Sequence, residues 1–329
     1  MKALALFVAL ALGVLAVPVV AAAQPRGKIP LVGVLEAGPQ RPPTPSTCHV
    51  GFRQGLHDLG YVEGQNILFE YRYAEEQPDR LPALAAELVR LAPDVLWTHS
   101  DPPAQALKQA TTTIPIVVGV ASELIEQGLV VSLARPDGNL TGLELRDVEL
   151  AGKRLELFKE ALPTISRVAV LVDPTLPASK GVPYNTEREA QALGVQLQRV
   201  EASSSQAFEG AFATMVKSGA DALMIMEGPL FARHRQQLLE LALRHRLPTM
   251  SGGRHFAEAG SLVSYGAFPR DLCQRSAIFV DKILKGAQPA TLPVEQADKF
   301  YLVVNLKTAE ALGLTLSPTF LFKANEVLR

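Results

Sequence analysis

The chain is poor in the residues on which enzymes and metal proteins are usually built. It has two cysteines in 329 residues, Cys48 and Cys273, and no C-x-x-C spacing, which excludes thioredoxin-type redox chemistry and cysteine-framed zinc sites. It carries no G-x-S-x-G elbow, no H-E-x-x-H helix and no Walker loop, so the familiar hydrolase, zinc-peptidase and P-loop machineries are absent. The six histidines, His49, His57, His99, His234, His245 and His255, show no ligand spacing and read as solvated or capping residues. Only His99 stands out, because it lies just past a strand-like run. The formal net charge is −1, without a basic or acidic run, which argues against nucleic acid as a partner. The one tryptophan, Trp97, reads as a core residue under a helix rather than as a ligand platform.

Long apolar runs are missing too, except at the front. Met1-Lys2 is a short positive start, Ala3 to Val20 is almost wholly apolar, and Ala21-Ala22-Ala23 supplies small residues before Gln24. This is the pattern of a signal peptide over 1–23, cleaved near Ala23, with an uncleaved membrane anchor as the alternative. No cysteine follows the small residues, so there is no lipoprotein signal. The expectation is an exported protein that works in the periplasm.

What remains is a regular alternation of strand and helix patterns. Strand-length apolar runs occur at Ile29–Leu35, Asn66–Tyr71, Val95–Thr98 and Ile116–Val120, each followed by helical spacing, the last of these helices being expected over Ile125–Ala134. The rhythm restarts at Leu150–Leu162 and Arg167–Val172. It continues through strands at Val195–Val200, Ala222–Met226 and Leu262–Tyr265, with one long helix over Phe231–Arg244 and another over Asp271–Lys285. Between the halves lies SLARPDGNLTGL, residues 132–143. Pro136 and Asp137-Gly138-Asn139 are turn chemistry there, and Leu140–Leu143 is too short and glycine-marked for a central strand. The fold class is therefore α/β, with two doubly wound parallel-sheet lobes joined by a hinge. The expected division is 28–142 plus 266–298 for the N-terminal lobe and 143–265 plus 299–329 for the C-terminal lobe.

In doubly wound sheets a ligand meets the loops beyond the carboxyl ends of the strands. Those loops nominate Glu36, Ser100, Asp101, Ser122, Glu123, Asp173, Glu227 and Tyr265 as ligand-binding residues. Asp101 and Glu123 in particular could form an anionic side for a ligand ammonium. The competing reading is that each acid caps a following helix. Cys48 and Cys273 fall near the starts of two helices expected in one lobe; whether they pair stays open, because an oxidising compartment permits a bridge without positioning it.

Several segments resemble one family. GFRQGLHDLGYVEGQNILFEYRYAE (51–75), KQATTTIPIV (108–117), GLVVSLARPDGNLTGL (128–143), SLVSYG (261–266), FVDKILKGAQPATLPVEQADKF (279–300) and NLKTAEALGL (305–314) are similar to the ABC-transporter substrate-binding proteins that include tryptophan- and tyrosine-binding periplasmic proteins. The resemblance implies a type I periplasmic-binding fold, two lobes with three crossings that close on a small polar ligand such as an amino acid. It implies a permease in the inner membrane as partner, a monomer, no cofactor, no metal and no enzyme activity. The loops depart from the family pattern where a ligand would be read, at Ser100-Asp101-Pro102, Ser122-Glu123-Leu124-Ile125, Gly260-Ser261 and Cys273. Other readings of the same cleft are a sensor that signals to a membrane receptor and an exported α/β enzyme.

Overall fold

The computed structural model describes residues 28–40, 47–122, 124–176 and 183–329. The expected signal peptide over 1–23 and the expected site residue Glu123 lie outside the described residues.

The first sheet is built from β1 (Leu31–Glu36), β2 (Leu68–Tyr73), β3 (Val95–Thr98), β4 (Ile116–Ser122), β5 (Leu140–Leu145) and the short β11 (Glu295–Gln296). They run in the order β11-β5-β4-β3-β1-β2, and every pairing is parallel. β1 and β3 are buried almost throughout, as near-continuous apolar runs in a sheet covered on both faces should be. The second sheet follows the order β13-β12-β10-β9-β8-β6-β7. It contains β6 (Arg167–Val172), β7 (Gln196–Glu201), β8 (Ala222–Ile225), β9 (Thr249–Ser251), β10 (Val263–Gly266), β12 (Tyr301–Asn305) and β13 (Glu326–Leu328). Its only antiparallel pairing among the described residues is β10 with β12.

Local chemistry sets the helix ends. Prolines open α2 (Leu81–Arg90), α3 (Asp101–Ala110) and α10 (Pro269–Leu284), where a missing N–H costs nothing. The Asn305 side chain accepts from Thr308 N at 3.1 Å to cap α11 (Leu306–Leu312), which ends on Gly313 at φ 70°. α10 returns to the first lobe and lies beside α1 (Thr47–Asp58): Gly51 and Gly55 face Arg270 O and Gln274 O closely enough that a Cβ on either would strike that backbone. Cys48 and Cys273 bridge the same two helices as a disulfide, with Cα atoms 5.1 Å apart. The question the sequence leaves open is thus closed in favour of pairing. Trp97 is fully buried beneath these helices, stacked on Phe52 at 4.1 Å and donating from Nε1 to Ser276 Oγ at 2.9 Å; it is the core residue expected.

Three segments cross between the lobes: β5 into α4 (Asp147–Ala161), β10 into α10, and β11 into β12. Four expectations need correction. β5 runs to Leu145 and lies between β4 and β11, so it is an interior strand and the expected change of lobe at 142/143 falls inside it. Gly142 makes this possible: at φ 147° it sits against the Val118 backbone where no Cβ would fit. The stretch 125–134 forms turns instead of a helix, broken by Gly128 at φ 69° and anchored by buried Leu129 and Val130. The helix over Phe231–Arg244 is two, α7 (Pro229–Arg233) and α8 (Arg235–Arg244), parted at His234.

Candidate functional site

The topology marks one crevice in each lobe. In the first sheet β2 and β3 flank β1, so the connections leaving β1 and β3 part to opposite faces and open a gap at the carboxyl ends of those two strands. In the second sheet β7 and β8 flank β6 in the same way. Glu36 is the last residue of β1 and His99 follows β3; Asp173 follows β6 and Glu227 lies two residues past β8. The carboxyl edges of the two sheets face each other: Arg233, in α7 beyond β8, pairs with Glu76, beyond β2, at 3.7 Å.

Glu36 is 6% exposed. His99 Nε2 donates to its Oε2 at 2.7 Å, and His49 Nε2, from the first turn of α1, lies 3.3 Å from its Oε1. The two histidines are driven apart electrically. Burial tends to discharge His99, but the adjoining Glu36 carboxylate outweighs it and raises the imidazole above its ordinary value. For His49 burial dominates and lowers it; Glu36 pulls the other way, while His99 and Arg53 depress it further. Rings surround the group: His49 stacks over Trp97 at 5.7 Å and meets the edge of Tyr71 at 5.6 Å, and Tyr71 stacks with Tyr73 at 5.9 Å. Tyr73 is the register partner of Glu36.

Asp101 and Ser122 are brought into contact, in a bond that ties the start of α3 to the end of β4. Asp101 does not cap a helix starting near Ala104; it is the first residue of α3, and its Oδ1 accepts from Ser122 N at 3.0 Å. Ser100 stands at the N-cap without a side-chain capping bond. Burial pushes the Asp101 carboxyl up from 3.8 to about 6, against the opposing bonds from Ser122 and Gln127. A carboxyl raised in this way keeps its proton in the folded state between those values while the unfolded chain loses it, so stability falls as pH rises from 4 to 6. Asp101→Asn keeps the acceptor for Ser122 and removes the titration. It is expected to match the wild type at pH 4 and to exceed it at pH 8 by up to about 3 kcal/mol in urea unfolding. Identical pH profiles for the two proteins would refute the assignment.

In the second lobe Asp173 is 6% exposed and folds back on its own loop, its Oδ1 accepting from Thr175 N at 3.0 Å and Thr175 Oγ1 at 2.7 Å. Arg154, from α4, is 1% exposed and donates from Nε to the Tyr265 carbonyl at 2.7 Å. Arg154 and Glu227 both pack on Gly252, and a Cβ there would strike each of them; Glu227 and Tyr265 are therefore joined through Arg154 and this glycine. The Tyr265 ring lies 6.0 Å from Phe300. Sequence reasoning misses His49 and Arg154, since a histidine in a first helical turn and an arginine in an amphipathic helix carry no motif. Among the described residues no cluster of His, Cys, Asp and Glu could hold a metal ion, and no helix is long and apolar enough to cross a membrane. A cavity of 490 Å³ lies elsewhere, on the outer side of α1 and α10 by Leu59, Phe268 and Ile278.

Comparisons with known proteins agree with this architecture. A tyrosine-binding protein of Clostridioides difficile (strain R20291) is 25% identical over 264 residues, spanning 80% of this chain and 76% of its own. The crystal structure of a conserved domain protein from Vibrio cholerae superposes with a TM-score of 0.82 at 27% identity, over 91% of this chain and 100% of the other. An ABC domain in complex with L-Trp from Streptococcus pneumonia gives a TM-score of 0.82 at 23% identity, over 92% and 100%. The sequence profile of the family described as ABC transporter substrate binding protein matches residues 43–328. On the fold, the three crossings and this match, the chain belongs to the ABC transporter substrate-binding proteins of the type I periplasmic-binding fold.

Proposed function

We propose that the protein is the exported solute-binding component of an ABC importer, which captures an amino acid or a related small molecule between its lobes and presents it to an inner-membrane permease. The observation that carries this reading is the pairing of the two crevices. Buried acids, Glu36 and Asp173, stand at the carboxyl end of the first strand of each sheet, Glu36 as its last residue and Asp173 as the next one on, and the two edges face each other. A ligand touching both lobes favours the closed arrangement, which a permease can recognise. Glu36, Ser100, Asp101 and Ser122 form the first-lobe side of this cleft, and Asp173, Glu227 and Tyr265 the second; Glu123 is assigned to the first side on its sequence position alone. The tyrosine-binding relative and the L-Trp complex support an amino acid as the ligand class. The protein works as a monomer in the periplasm, and the ligand is released unchanged.

Native mass spectrometry of freshly purified protein tests the proposal. One small molecule per chain is expected, with micromolar affinity or tighter, about −8 kcal/mol, and small-angle scattering should contract when ligand is restored to stripped protein. Steady chemical conversion of the bound molecule by the pure protein would refute the reading.

A further inference from the structure

Glu36 is buried, yet only one of its oxygens is used. Oε2 takes the bond from His99, whereas Oε1 has no hydrogen-bond partner, and neither has His49 Nε2, although the two atoms are 3.3 Å apart. They are close but not aligned, so their bonding directions lead elsewhere. A carboxylate oxygen buried without a donor is costly, and a donor brought by a ligand removes that cost. The donor is best cationic, since Oε1 carries negative charge and a charge-assisted bond is the stronger kind. The neighbouring imidazole offers a second lone pair when neutral; Tyr71 meets its edge, Tyr73 stacks on Tyr71, and buried Trp97 backs it from beneath. An anionic group would meet Oε1 with like charge, and a sugar hydroxyl could donate to Oε1 but would bring no positive charge to offset it.

We propose that Glu36 and His49 together form the receptor for a protonated primary amine of the ligand, with His99 as the positioning residue that fixes the carboxylate. This rests on the reading of the protein as a small-ligand binder. The groups facing the pair are Arg53 of α1 with its partner Glu63, Tyr71 and Tyr73 of β2, and His99 beyond β3. Protonation of His49 would set a second cation against the amine. Affinity therefore falls on acidification, through a transition below the ordinary histidine value of 6.5 because His49 is lowered by burial. His99 also depresses His49, so His99→Gln should move that transition to higher pH, which a purely structural residue would not do.

The test is a thermal-shift and tryptophan-fluorescence screen of stripped protein, Trp97 being the sole tryptophan and lying against His49. The panel holds the standard L-amino acids, the amines formed by decarboxylating them, the acids formed by deaminating them, and monosaccharides. Compounds with a primary amine should bind and their deaminated forms should not. Glu36→Gln should weaken the best amine by about 100-fold while keeping the circular dichroism of the wild type; should that variant not fold, the acid transition of the wild type and its shift in His99→Gln decide between the outcomes. The proposal is overturned by a best binder that lacks an amine, by unchanged affinity in Glu36→Gln, by an affinity indifferent to pH between 5 and 8, or by no binding from any amine. A monosaccharide or carboxylic acid as best binder would remove the amine receptor and leave the solute-binding reading intact. An empty panel together with an empty native mass spectrum would remove both.

Discussion

Reduction of the Cys48–Cys273 disulfide is expected to lower the melting midpoint of the protein by about 10 °C. The two half-cystines are 225 residues apart in sequence, so the cross-link closes a loop that takes in all of the second lobe except its last strands and helices. The chain-entropy account gives about 5 kcal/mol for a loop of that length, and a kilocalorie moves the midpoint of a protein of this size by about 2–4 °C. Calorimetry of Cys48→Ser/Cys273→Ser should reproduce the reduced wild type, and adding reductant to the double variant should then do nothing. Thiol labelling of unreduced, denatured protein must find no free thiol. Two reactive thiols there, or equal midpoints with and without reductant, would end the idea.

Gly55→Val is expected to destabilise the protein by about 3 kcal/mol or more. Gly55 meets the Gln274 carbonyl and the Ala277 methyl of α10 directly, and Gly51, one turn earlier, meets the Arg270 carbonyl. A side chain at either position must push a backbone away, which a flexible side chain could avoid but a helix cannot. The variant also strains the disulfide, because Cys48 and Cys273 hold the same two helices together. Gly210 is the control: it lies within α6 (Phe208–Lys217), and a Cβ there meets nothing within 4 Å. Gly210→Ala should stabilise by about 0.5–1 kcal/mol through helix propensity alone. Urea unfolding of the two variants reads both effects, and a neutral Gly55→Val would show that the helices are less closely packed than described.

The architecture is legible in the sequence where the signal is local. Val95–Thr98 and Arg167–Val172 are expected as strands with the bounds they have, because compact apolar runs between turn residues admit little else. β11, two residues long, and β13 escape a reading of the sequence, since they exist only through pairing with distant strands. α9 (Arg254–Ala259) escapes it for its brevity. In the candidate site, position past a strand end picks out Glu36, Asp173 and Glu227. The company that Glu36 keeps cannot be read: His49 and His99 are far apart in sequence and meet only because α1 begins where β1 and β3 end. Asp101 is noticeable as an acid at a helix start, but its backbone partner Ser122 comes from the end of β4.

The order in which the first lobe is written along the chain sets the order in which it can be completed. Trp97, Phe52 and Val117 are covered by Leu272, Cys273 and Phe279 of α10, and β11 finishes the sheet edge beside β5. During synthesis the N-terminal strands emerge first but keep an uncovered apolar face until residues beyond 284 arrive. The second lobe brings β6 to β10 together from one contiguous run, but it too waits for the end of the chain, since β12 pairs with β10 and Leu302, Val304 and Phe320 complete its core. Contacts that span so much chain close slowly, and an apolar face left open meanwhile is exposed to aggregation.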